Sequence, residues 1–101
     1  MEYITIDKLS DLCGYGVHIN IKRADNGKVV INGVTALKYS KDKRQIIKWD
    51  AFKGKEVYGI RPSVQIEGLK RDEPYFLMSI EAWISKYDCE DAVAKYKANV
   101  T

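Results

Sequence analysis

Few residues in this chain are equipped for covalent or metal chemistry: His18 is the single histidine, and Cys13 and Cys89 are the only thiols. General acid–base work would need His18, or a carboxylate, held beside a nucleophile. His18 instead alternates with Ile19 in a run that continues through Asn20, with no Ser or Cys at a useful spacing, so it reads as a strand residue on a polar face. A zinc site built from Cys13, His18 and Cys89 lacks a fourth ligand and the close cysteine pairs of structural zinc. Asp88, Glu90 and Asp91 fit the first turn of a helix, with Asp88 as its cap, and Asp72-Glu73 adjoins Pro74 at a turn. Gly14-Tyr15-Gly16 lacks the Gly and Lys that complete a phosphate loop. The expectation is a protein that is not an enzyme and carries no metal and no cofactor.

Surface chemistry is more informative. Between Lys22 and Lys55 stand ten basic residues against three aspartates, whereas the remaining residues carry seven basic and eleven acidic groups. Lys22, Arg23, Lys38, Lys41, Lys43, Arg44, Lys48, Lys53 and Lys55 are therefore the candidate partner-binding residues, and an acidic protein surface or a nucleic acid is the matching partner. Tyr39, Trp49, Phe52, Tyr58 and Tyr75 interleave with these cations, as in single-strand nucleic-acid platforms, although the same aromatics are what a small core is made of. Tyr39 and Trp49 are expected on the face of Leu37 and Ile47, which assigns Trp49 to the core. The opposing possibility is that basic and acidic regions neutralise each other across the fold.

The 101 residues suit one domain, 1–101, with one core, and 46% hydrophobic and 31% charged residues are ordinary for a folded globular chain. No apolar run approaches the length of a membrane span, the longest being Tyr75-Phe76-Leu77-Met78, and the first residues lack a signal-peptide pattern. A cytoplasmic setting without membrane association, and free thiols at Cys13 and Cys89, are expected.

The elements that must position these residues follow in order. Thr5 to Cys13 is predicted helical, with Thr5 as N-cap, Ile6, Leu9, Leu12 and Cys13 as one stripe and Gly14 as the stop. The phrase from Thr5 to Tyr15 resembles the first helix and turn of helix-turn-helix DNA-binding domains. The resemblance ends there, because Gly14-Tyr15-Gly16 leads into an alternating β-branched run where that family has its recognition helix. Val17 to Asn32 is predicted to be a hairpin closed by Asp25-Asn26-Gly27, pairing Ile21 with Ile31 and Arg23 with Val29, with Gly27 at positive φ.

Val34 to Tyr39 and Gln45 to Phe52 are both predicted as strands, pairing Leu37 with Ile47 and Thr35 with Trp49. A further strand from Val57 to Ile66 should bend at Pro62 or lie at an edge. Phe76, Ile80, Trp83 and Tyr87 share one helical face, which predicts helix from Ile80 onward with Trp83 in the core; residues 75–78 fit either a last strand or the start of that helix. The fold class expected is α+β: a small single domain with a twisted, mostly antiparallel five- to six-stranded sheet, a short N-terminal helix and C-terminal helices. A non-catalytic module acting stoichiometrically on a macromolecule follows, an inhibitor or accessory protein of the bacterial or phage kind. A single-stranded nucleic-acid or DNA-binding protein is the alternative, and a small enzyme the more distant one.

Overall fold

The computed structural model describes residues 4–13, 17–67, 70, 72–73 and 75–100. A two-residue strand, β1 (Ile4–Thr5), leads directly into α1 (Ile6–Cys13). Thr5 does not cap this helix as expected, because its hydroxyl donates to the Asp7 carboxylate. The first helical N–H groups, which have no partner within a helix, instead reach the Lys55 carbonyl from Ile6 (3.1 Å) and the Lys53 carbonyl from Asp7 (2.9 Å). That tie is extended by β4 (Glu56–Val57), which pairs antiparallel with β1. Ile6 and Leu9 are buried, but Leu12 is exposed, so the docking stripe is narrower than its sequence spacing suggested.

The hairpin forms from β2 (His18–Arg23) and β3 (Val29–Ile31), with Ile21 opposite Ile31 and Gly27 at φ 68°. Beyond Ile21 the register shifts through a bulge, so Lys22 rather than Arg23 faces Val29, and the Arg23 N–H closes the loop onto the Lys28 carbonyl.

The next two segments are helices, not strands: α2 (Val34–Lys38) and α3 (Lys43–Phe52). Asp42 stops its own backbone from continuing the helix and accepts from the Arg44 N–H at 2.9 Å, and Gln45 stands three residues on, where a capping box places Glu or Gln. Helix formation removes the expected pairing of Leu37 with Ile47 and of Thr35 with Trp49. Trp49 still reaches the core, from the helix.

β5 (Gly59–Glu67) runs unbroken through Pro62 and pairs only with β6 (Tyr75–Ile84), which makes it an edge strand, where a missing N–H is tolerated. β6 corrects the expectation of a helix from Ile80. Its period is two: Ala82 and Ile84 are fully buried while Glu81 and Trp83 lie on the other face, and Tyr87 belongs to the next element and is exposed. α4 (Lys86–Val100) is capped by Ser85, whose Oγ accepts from the Asp88 N–H at 3.0 Å; Asp88 is inside the first turn and is not the cap.

Two sheets result, β1-β4 and the four-stranded β3-β2-β6-β5, whose central pair β2-β6 is parallel and whose other pairings are antiparallel. One core joins them to the helices: Ile6 and Leu9 from α1, Val34 from α2, Trp49 and Phe52 from α3, and Cys89 and Ala92 from α4 close on Ile19, Ile21, Ala82 and Ile84. This is the α+β class read from the sequence.

Candidate functional site

The fold holds five of the nine candidate cations in ion pairs. Lys22, on β2, places its ammonium 3.0 Å from Glu81 on β6 and 5.8 Å from the Trp83 ring centroid. Arg23 grips Asp25 through Nε (2.9 Å) and Nη2 (2.6 Å), holding that carboxyl below its usual range. Lys38 meets Asp11 at 3.1 Å and lies over the rings of Tyr39 and Trp49; the hydrogen bond to Asp11 raises its pKa. Lys48 sits 5.7 Å from the Tyr96 centroid, Lys53 pairs with Asp50 one turn back, and Lys55 bonds Asp91 on α4. Three of these pairs, Lys22–Glu81, Lys38–Asp11 and Lys55–Asp91, join the basic segment to acids outside it. Neutralisation across the fold thus accounts for part of the charge asymmetry.

Lys41, Lys43 and Arg44 differ. All three are exposed at the start of α3, and among the described residues none has an ion-pair partner. Their placement opposes helix electrostatics, since the N-terminal end carries partial positive charge and favours anions, yet the first turn of α3 contains no acid. Asp42 is the one counter-charge, and its side chain is committed to the Arg44 N–H. Gln45 is exposed beside them, and Tyr39, 61% exposed, stands in the same turn. The interleaved aromatics do not assemble as a stacking platform on strands: Trp49 and Phe52 are buried on α3, while the exposed Tyr39 follows α2, Tyr58 lies between β4 and β5, and Tyr75 opens β6.

Other groups are placed less suggestively. His18 is exposed at the first position of β2, on the polar face its alternation implied. Cys13 and Cys89 are free thiols, and burial raises the pKa of each, which keeps them protonated and slow to react. Among the described residues no three His, Cys, Asp or Glu side chains gather as a metal site would require, and no helix is long and apolar enough to cross a membrane. A cavity of about 320 Å³ between α3 and α4 is lined by Ile47, Asp50, Ala51, Lys95 and Asn99. Its polar groups do not converge, because Asp50 turns to Lys53 and the Asn99 amide donates to the Lys95 carbonyl.

Sequence reasoning places Lys41, Lys43 and Arg44, a subset of the nine, on a turn between strands; Lys53 of the same set is also exposed but is paired with Asp50. The signal that separates the three is the Asp42-Lys43-Arg44-Gln45 cap, which marks a helix start carrying cations where anions are favoured. Compared with protein-family models, curated proteins and solved structures, the chain matches none.

Proposed function

We propose that the chain is a non-catalytic binding module, an inhibitor or accessory factor, that acts stoichiometrically on an acidic protein surface through Lys41, Lys43 and Arg44. The observation that carries this reading is their position: three cations without ion-pair partners at the end of a helix, where they reduce its stability, are better explained by a partner than by the fold. Tyr39 in the same turn adds the aromatic and Arg combination on which protein interfaces concentrate binding energy. Three cations clustered at one helix start suit a compact acidic epitope better than a long phosphate track, whose affinity rests on many phosphate contacts spread along the backbone.

One observation favours nucleic acid as the second reading. Only residues 39–42 separate α2 from α3, and Lys43, Arg44 and Gln45, side-chain types that contact phosphates and base edges, form the first turn of the second helix.

Charge reversal separates the two readings from no function at this surface. Immobilised wild-type chain and the triple variant Lys41→Glu, Lys43→Glu, Arg44→Glu would be compared for retention of proteins and of a random-sequence DNA duplex at low and high salt. Retention of a protein by the wild type alone, reconstituting as a complex of fixed stoichiometry, is the expected result. Duplex binding that falls steeply with salt would favour the second reading, and equal retention by both proteins would overturn both.

A further inference from the structure

The outer half of the β5-β6 hairpin presents a second surface of opposite character. Ile60, Pro62, Val64 and Ile66 alternate along β5, and the register sets Pro62 opposite Ile80 and Val64 opposite Met78, so all six lie on one face. Ile60 faces Ala82, which is buried in the core, so this face continues the core and runs out from beneath the helices. Ala82 is fully buried and Ile80 partly so, but Met78 is 55% exposed, and across from them Val64 and Ile66 are exposed to the same extent. Within the two strands, Arg61 and Glu81 stand opposite each other on the other face, and the exposed Lys70, Asp72 and Glu73 belong to the connection between the strands.

Four large apolar side chains about half exposed, with Pro62 among them, form a patch on the order of 400 Å², comparable with the largest apolar patch of a typical monomer, which is often functional. We propose that this face is covered by a second copy of the chain, packed face to face about a two-fold axis. Two such patches remove roughly 800 to 1,000 Å² from water in total, below the ~1,200 Å² at which stable interfaces begin and in the range of transient ones, which predicts a weak dimer that dissociates on dilution. An identical patch is the natural complement, because the face offers no charge with which to select a differently charged partner, and the commonest oligomers are two-fold. The copies meet by faces and not by edges: Pro62 interrupts the open edge of β5, so an added strand would miss a ladder hydrogen bond.

Sedimentation equilibrium of the full chain from micromolar to millimolar concentration tests this, with Val64→Lys and Met78→Lys as separate variants and circular dichroism to verify their folding. The weight-average mass of the wild type should rise from one chain and level at two, without weakening at high salt, while each folded variant stays at one chain at concentrations where the wild type is mostly dimeric. A wild type that stays monomeric throughout would overturn the proposal. A mass climbing past two chains, or a dimer undiminished in both variants, would overturn it as well. None of these outcomes depends on the basic end of α3.

Discussion

Lys22 and Glu81 meet at 3.0 Å across the parallel junction of β2 and β6, each side chain about one-fifth exposed, with the ammonium also over the Trp83 ring. Glu81→Gln should lower stability by about 1 kcal/mol, the upper end for a partly solvated pair. It should also alter Trp83 emission in a Trp49→Phe background, because the cation loses the partner that fixes it over the ring. Unchanged emission with unchanged stability would show the pair to be idle.

Two glycines at nearly the same φ separate backbone strain from crowding. Gly27 (φ 68°) has nothing within 4 Å of an added Cβ, so Gly27→Ala should cost about 1 kcal/mol, the left-handed penalty alone. Gly33 (φ 67°) would place that Cβ 3.2 Å from His18 Nδ1. Gly33→Ala should therefore destabilise more than Gly27→Ala in denaturant titrations, and Gly33→Ala in a His18→Ala background should recover part of the difference.

Truncations in the core should rank by burial. Phe52, 1% exposed, should cost roughly 3 to 5 kcal/mol on replacement by Ala, whereas Trp83→Ala, on the partly open face of β6, should cost less. Chemical denaturation of both variants checks the order, and a larger loss at Trp83 would contradict its placement.

The cap of α4 discriminates between two neighbouring acceptors. Ser85→Ala should cost about 1 kcal/mol by freeing the Asp88 N–H. Asp88→Asn should cost less, removing only a favourable charge from the first turn.

Stability should fall at both ends of the pH range for identifiable reasons. Asp7 is depressed by the Thr5 hydroxyl, Asp25 by Arg23 and Asp91 by Lys55, each below the ordinary 3.8. A carboxyl with a lower pKa in the folded than in the unfolded chain stabilises above the unfolded value and loses that contribution as pH falls through the folded one. Lys38 is raised above 10.5 by Asp11, so its contribution is complete below that value and disappears as pH rises through the higher folded pKa. Melting temperature against pH should therefore drop below about pH 4, and replacing Asp7, Asp25 and Asp91 by Asn should flatten that limb.

What could be read from the sequence depended on whether one period stood alone. Val17 to Ile31 had alternation, a Gly-bearing turn and a matching register, and the Ile21–Ile31 pair is present; only the bulge after Ile21, which no side-chain pattern encodes, was missed. Tyr75 to Ile84 carried two periods at once. Phe76, Ile80, Trp83 and Tyr87 suggested a helix, but Ile80, Ala82 and Ile84 answer to a strand buried between β2 and β5, and tertiary pairing decided between them. For α3, β-branched and aromatic residues at alternate positions obscured the cap at Asp42 and Gln45, the stronger local signal. The candidate site was legible as composition and illegible as geometry, since pairings such as Lys38 with Asp11 exist only once the chain is folded.

The parallel junction of β2 with β6 places Ile19 beside Ile80 and Arg23 beside Ile84. Some sixty residues must be gathered before the first of those contacts can form, and closing a loop of that length costs entropy before any contact offsets it. During synthesis β2 and β3 have only each other as strand partners until β6 leaves the ribosome, and a two-stranded hairpin without further strands is at best marginally stable. Folding should accordingly be slow for a chain of this size, with β2-β6 association in the transition state. Substitutions at Ile19 or Ala82 would then slow refolding more than they speed unfolding, while those in α4 would do the reverse.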